Sequence, residues 1–483
     1  MDSVLINSKL LRKSYTLKSK SATKNIKSYL SSLTKIVPNL DAKFMSNKTA
    51  VANLDKIKLN IGPYTYPEVE KTTKILDNVS KCDGLADIEK ESKNQQLVDI
   101  VDGFARSVSA ILNTKYPQQY KVSNAYVKLW EIYETFDWLI PKTGTTNFFH
   151  IAEAPGQWIN TTNHYFHQHM PKLVKYNWFA NTLNPEHPRM KGIINALRDT
   201  YGFIKKNQKK WLYGADNSGD ITNPDNIAWF NEYLHKAIPG NLDVITGDAG
   251  TNPLDVSLEL LQKIDIAQAI VVACTARPGT NCVIKHFLPF MSVKPESDMA
   301  TGFFMSFMYL YHILFAEFHM FKPLSSSPGS GEIYVVCRGF HGISEEQRAK
   351  LLEYMGDFTV NKPMFAKQDI PTQFASKVCK FINDLQLVNI KNKSATCKII
   401  ECFNNNSKQK LSSLDSISKS DCAFLMDKYL FKAQKTQDLE KYLDKYRIAR
   451  FDKLKSRTLK NQKYKQPFKK TRHLKQRKTY HVS

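Results

Sequence analysis

Four short segments carry side chains of the kind that chemistry needs, at places where the chain turns out of apolar runs. HIAEAPGQW, residues 150–158, passes from an apolar stretch through Glu153, Ala154, Pro155 and Gly156 into a helical stretch. A glycine there lets the backbone approach a ligand at the carboxyl edge of a sheet, where α/β proteins bind nucleotides. A plain strand-to-helix turn has the same spelling. In LDVITGDAG, residues 242–250, Asp248 stands between Gly247 and Gly250 at the end of an apolar run. That places a carboxylate at a strand end, or in an ordinary Gly-Asp turn. TNCVIKHF, residues 280–287, sets Lys285 inside an otherwise apolar strand. An amine there must be paired, turned outward on an edge strand, or functional, because burying it unpaired is costly. In GSGEIYVVCRGF, residues 329–340, Glu332 opens another apolar strand after a Ser/Gly/Pro loop. The glycine-rich run 325–331 lacks the Gly-Lys-Ser/Thr ending of a P-loop and reads as a loop. The EAPG turn has one glycine rather than the G-x-G-x-x-G fingerprint, which weighs against an α/β oxidoreductase.

The elements that must position these residues are strands and helices in alternation. Strand candidates are FFHIAEA (148–154), KYNWFANTL (175–183), LDVITGDA (242–249), TNCVIKHF (280–287) and EIYVVCRGF (332–340). Between the third and fourth, residues 255–276 repeat apolar side chains at helical spacing, so the texture from about 120 to 345 is that of parallel α/β units. Residues 302–321 are apolar for long enough to span a bilayer. They contain His312, Glu317 and His319 and run into Lys322-Pro323, so a buried helix packed on the sheet is expected, with no membrane span. Residues 1–110 read as polar, lysine-rich helical segments, and residues 345–440 also read as helical. No internal repeat is found.

The net charge is +24, and residues 445–483 hold fifteen Lys or Arg against one acid, Asp452, so +14 of it lies in this tail. Such a field attracts polyanions by counterion release, which makes nucleic acid the first partner to consider; acidic membranes and import receptors use similar tails. Few apolar residues follow Tyr446, and the tail is expected to be disordered unless bound to a polyanion. Met1 to Lys20 lacks the continuous apolar core of a signal peptide. Eight scattered cysteines with no C-x-x-C pair point to buried thiols in a reducing, intracellular setting and to no metal site.

The order of these residues, a lysine, an aspartate, a lysine and a glutamate, is where a resemblance enters. The blocks SNAYVKLWEI, IAEAPGQWINTTNHY, WFANTLNPEH, YGADNSGDIT, TGDAG, NCVIKHF and FKPLSSSPGSGEIYVVC together resemble the RrmJ/FtsJ-type RNA 2′-O-methyltransferases, and within them the Adrift-type cap methyltransferases. EAPG, WFANTLNP and DNSGDIT point to the Adrift branch; Gln157 stands where many relatives have a second glycine. The resemblance covers about half the chain. It implies a Rossmann-like α/β sheet flanked by helices, with helical N- and C-terminal extensions. The expected division is an extension over 1–110, a methyltransferase domain over 111–345, a helical region over 346–444 and a basic tail over 445–483. It implies S-adenosyl-L-methionine as cofactor, capped mRNA or another RNA as partner, and a cytoplasmic, nuclear or viral-factory location. The family's tetrad falls on Lys128, Asp248, Lys285 and Glu332. Its donor pocket falls on Glu153, Ala154, Pro155 and Gly156, on the end of the second strand around Tyr176, and on Asp248. Asp216 and Asp220 of DNSGDIT lie nearby by analogy, although a turn-forming surface loop explains them equally well.

The implied reaction moves a methyl group from a sulfonium to a ribose oxygen, which leaves the protein to align the reactants and remove the hydroxyl proton. The resemblance gives Lys285 the role of base. That requires its pKa to fall, a direction in which partial burial and Lys128 push, while unscreened Asp248 and Glu332 push the other way. Lys128 would also stabilise the developing alkoxide. A ribosomal or transfer RNA methyltransferase, and a non-catalytic RNA-binding scaffold on the same fold, are the alternatives.

Overall fold

The computed structural model describes residues 40–69, 122–142, 144–188, 202–250, 257–289, 301–327 and 330–406, with residues 108, 109, 112, 113, 199, 445 and 446 besides. The basic tail beyond Tyr446 lies outside the described residues.

The apolar runs form one eight-stranded sheet. Its strands are β1 (Leu40–Met45), β2 (Thr145–Ile151), β3 (Lys175–Asn181), β4 (Trp211–Leu212), β5 (Val244–Gly247), β6 (Asn281–Phe287), β7 (Phe315–Lys322) and β8 (Glu332–Phe340). They lie in the order β1-β7-β8-β6-β5-β2-β3-β4. From β6 to β4 all neighbours are parallel, while β8 is antiparallel to both β6 and β7, and β1 is antiparallel to β7. Parallel strands are covered on both faces, which explains their near-continuous apolar runs. Successive residues enter opposite cores: Phe148, Val244, Val283, Tyr334 and Val336 pack on one face, and Phe149, Ile245, Cys282, Ile284, Val335 and Cys337 on the other.

Helices α1 (Asn124–Thr135) and α2 (Gln157–His169) cover the first face. The second is covered by α4 (Pro224–Ala237), α5 (Leu258–Thr275), α6 (Thr301–Leu314), α7 (Glu345–Gly356) and the start of α8 (Thr372–Asn406). A short α3 (Phe203–Lys206) precedes β4. The arrangement is thus α/β with helices on both faces, as expected. β3 leaves β2 on one side and β5 joins it on the other, so the topological switch point, where open α/β sheets take ligands, lies between the ends of β2 and β5.

Two expectations are corrected. The apolar stretch 302–321 is half helix and half strand: α6 ends at Leu314 and β7 starts at Phe315. Every side chain of α6 but His312 is buried, so the helix is apolar all round for an interior reason. FAEFHMFK, rich in aromatics, is stabilised as a strand by partners on both sides, β1 and β8. No helix of the described residues is long and apolar enough to cross a membrane. The helical reading of 1–110 fails at Leu40–Met45, which is the sheet's edge strand; Ala42 and Phe44 point into the core at period two.

Candidate active site

The residues at the carboxyl ends of the parallel strands meet because of register. Glu332 is paired in register with Phe287 and Tyr334 with Lys285, so Lys285 on β6 and Glu332 on β8 are diagonal neighbours on the face covered by α1. From α1, Lys128 Nζ reaches Glu332 Oε1 at 2.7 Å. From the end of β5, Asp248 Oδ1 lies 2.7 Å from Lys285 Nζ, which also donates to the Asp248 carbonyl oxygen at 3.1 Å. The structure therefore brings all four tetrad residues together as two ion pairs at one end of the sheet. Each side chain is between about one tenth and one quarter exposed, enough to be reached and little enough to feel charge strongly.

Glu332 and Lys285 are held in their charged forms. Burial raises the Glu332 carboxyl, but the amines of Lys128, Lys285 and Lys322 outweigh it and bring it down to about 2. Burial lowers the Lys285 amine, but Asp248 and then Glu332 outweigh it, and the amine sits above its ordinary value. The expectation that burial and Lys128 depress Lys285 is therefore corrected: two adjacent carboxylates win over desolvation.

The local backbone is built for this. Glycines bring the chain close to this site: a Cβ at 247 would lie 2.8 Å from Gln268 Oε1, and one at 250 would lie 2.8 Å from Lys285 Nζ. Gln268, fully buried on α5, accepts from the Ala249 amide at 3.2 Å and donates to the Lys285 carbonyl at 3.1 Å, tying the Asp248 turn to β6. Sequence reasoning missed it; the signal was a glutamine amid the apolar residues of DIAQAIVV. Two further residues were missed. Glu131, buried on α1, accepts from the Leu324 and Ser325 amides at 2.7 and 2.9 Å, and Lys322 closes β7 with its amine buried.

The EAPG turn faces the switch point. Glu153 Oε1 accepts from the Trp158 and Ile159 amides at 2.7 and 3.1 Å, satisfying the first turn of α2. Burial pushes its carboxyl well above the usual range, Asp248 adds to this, and those amides oppose it. Gly156, at φ 102°, adopts a conformation only glycine takes freely, and a Cβ there would lie 2.5 Å from the Phe203 ring. Ala152 also has positive φ, at 53°. A strained residue and a left-handed glycine within five residues are typical of a ligand-binding turn.

Tyr176 is not where it was expected. β3 ends at Asn181, and Tyr176 lies near its start, where it pairs with Thr146. Its hydroxyl meets His150 Nε2 at 2.7 Å, and His150 Nδ1 meets Thr246 Oγ1 at 2.7 Å; burial brings this imidazole down to about 3, so it is neutral. Asn181 takes the strand-end position and donates to Leu212 and Gly219 carbonyls, both at 3.1 Å. Asp216 and Asp220 shape their own loop. Asp216 accepts from the Ser218 amide and hydroxyl at 2.9 and 2.6 Å and from Asn223 at 3.1 Å; Asp220 accepts from the Thr222 amide at 2.8 Å. Among the described residues no group of three or more His, Cys, Asp or Glu is disposed to hold a metal ion.

Residues 121–340, which span α1 to β8 and contain every residue of this site, match the family profile of FtsJ-like methyltransferases. The chain carries an FtsJ-like methyltransferase domain. It is 27% identical over 323 residues to mouse cap-specific mRNA (nucleoside-2′-O-)-methyltransferase 2, covering 64% of this chain and 39% of that protein. It is 29% identical over 288 residues to an uncharacterized protein of Acanthamoeba polyphaga mimivirus, covering 58% of this chain and 34% of the other. A probable methyltransferase of African swine fever virus is 27% identical over 290 residues, covering 56% of this chain and 62% of that one. The chain thus spans about a third to three fifths of the length of these relatives. The FtsJ-like domain leaves out β1, which nonetheless completes its sheet.

Proposed function

We propose that this chain transfers a methyl group from S-adenosyl-L-methionine to the 2′-hydroxyl of a ribose near the 5′ cap of mRNA. The observation that carries this reading is the tetrad at the end of the sheet beside the switch point. Two lysines and two carboxylates form interlocked 2.7 Å pairs there, inside a domain of the FtsJ-like family. The substrate class rests on the names of the mammalian relatives and on the chain's net charge of +24, which suits a polyanion.

The residues at the switch point fit such a donor. Gly156 turns the backbone in the left-handed conformation at the start of α2, and Glu153 with Asp248 sets two acidic side chains near a ligand that carries an ammonium and a sulfonium. Asp216 and Asp220 are engaged within their loop and contribute by shaping it. When bound, S-adenosyl-L-methionine supplies an activated methyl group. The chain's own part is to hold the ribose oxygen in line and to take its proton. Lys285 is the acceptor this reading assigns. Asp248 and Glu332 keep its amine protonated in the free site, so it becomes a base only when a positive charge enters beside those carboxylates and competes for them. Lys128, already directed at Glu332, stabilises the oxyanion as it forms.

The test is methyl transfer from radiolabelled donor to capped and uncapped RNA, followed by nucleoside analysis. Cap-dependent 2′-O-methyl product is expected, with kcat about 10² to 10⁴ lower in Lys285→Ala, the usual worth of a positioned base. Label on a base, or equal activity in the variant, sinks the mechanism; equal transfer to uncapped RNA sinks the cap.

A further inference from the structure

Lys322 is a third lysine beside the tetrad. It is only 4% exposed, and its ammonium donates to Ser326 Oγ at 2.8 Å, the Ser330 carbonyl at 2.7 Å and the Glu332 carbonyl at 2.8 Å. Ser326 Oγ in turn donates to Glu332 Oε1 at 2.9 Å. The direction of this relay is fixed by chemistry. An ammonium can only donate, so the Ser326 oxygen must accept from Lys322, and its single proton is left pointing at Glu332. The same oxygen, Oε1, takes the Tyr334 hydroxyl at 3.1 Å and the Lys128 amine at 2.7 Å.

The connection is gripped from the other side by Glu131, which accepts from the Leu324 and Ser325 amides. Glu131 stands three residues after Lys128 on α1, so the two project from the same side of the helix. One of them holds the loop and the other holds the carboxylate that follows the loop. The spacing between α1 and the start of β8 is thereby set twice.

We propose that Lys322 is a positioning residue for Glu332, orienting the Ser326 hydroxyl and the start of β8 so that the carboxylate meets Lys128, with Glu131 fixing the same connection from α1. The proposal rests on reading Glu332 as part of the tetrad. Lys322 touches neither substrate nor reacting atoms; it acts through Ser326 and the Glu332 backbone. Its buried charge also helps keep Glu332 ionised.

The experiment uses the full chain and the variants Ser326→Ala, Lys322→Met and Lys322→Arg. The Glu332 carboxyl is titrated by ¹³C NMR, with Glu332→Gln to assign its signal, and kcat and KM for methyl transfer to capped RNA are measured alongside Tm. Ser326→Ala is expected to raise the Glu332 pKa by about one and to lower kcat about tenfold. KM for the donor and Tm should stay close to wild type, since the hydroxyl supports only the carboxylate. Lys322→Met should move both quantities further in the same direction, and Lys322→Arg should recover part of the titration. Should Lys322→Met fail to fold, Ser326→Ala decides alone. An unmoved Glu332 titration in the folded variants overturns the proposal, as does a kcat loss that merely follows a fall in Tm. A wild-type chain that transfers no methyl group overturns the reaction instead, and the titration still judges the positioning.

Discussion

Replacing Glu332 by Gln takes one negative charge from the site and keeps its shape. Glu332 accepts from Lys128, Ser326 and Tyr334 and is packed at the start of β8. Its carboxyl is brought from 4.5 down to about 2 by the surrounding amines, in spite of burial. At 1.36 kcal/mol for each pKa unit, that difference corresponds to about 3 kcal/mol of stability at neutral pH. The sign follows from a depressed native pKa. The contribution is complete above the unfolded value of 4.5 and is lost as pH falls towards 2. Glu332→Gln should therefore unfold in urea with about 3 kcal/mol less stability at pH 7, somewhat more if Lys128 is left poorly compensated. The gap to wild type should narrow steadily below pH 4.5. The measurement is the urea midpoint and slope of both proteins from pH 7 to pH 3. A gap below 1 kcal/mol at pH 7, or one that does not change with pH, refutes the reasoning.

Gly156→Ala forces an alanine into φ 102° and a methyl group to 2.5 Å from Phe203, so calorimetric affinity for S-adenosyl-L-methionine should fall at least tenfold; unchanged affinity places the donor elsewhere. Gln268→Leu removes the link between the Asp248 turn and β6 and leaves the Ala249 amide and Lys285 carbonyl unsatisfied. A loss of about 1–3 kcal/mol by denaturant unfolding is expected, with kcat reduced more than KM is raised. Deleting residues 447–483 keeps Tyr446, whose carbonyl accepts from Trp130, and removes most of the tail's charge. RNA affinity should drop most at low salt, with a shallower dependence on salt concentration; an unchanged salt slope assigns the tail another role.

Much of the site was legible because its residues break local rules. Lys285 in an apolar strand, Asp248 between glycines and Glu332 at a strand start are each out of keeping with their surroundings, and the structure joins them. β8 runs from Glu332 to Phe340, the bounds its apolar pattern gives. What escaped depended on partners distant in sequence. A short apolar run reads alike as helix or strand, so β7 could not be told from the end of α6 without its neighbours β1 and β8. The resemblance puts Tyr176 at the end of the second strand, which instead lies at Asn181. The protonation of Lys285 was misjudged because its sign depends on two distances, to Asp248 and to Glu332, that no spacing reveals. Nothing local in the sequence marks Glu131 and Lys322, and both are buried.

β1 joins the sheet through Asp41 opposite Phe321 and Met45 opposite Glu317, so its partner strand is made some 270 residues later. Pairing of such high contact order forms late, after the parallel core has closed its shorter connections. Until then β7 presents an unpaired edge of aromatic residues, the kind that recruits strands from other chains. A chain that begins after β1, at residue 46, keeps that edge open permanently while retaining α7 and α8. It should aggregate where the longer chain does not, and adding residues 40–45 as a separate peptide should compete with the aggregation. The strand that closes the sheet's edge is encoded far upstream of the residues gathered at the other strands' ends.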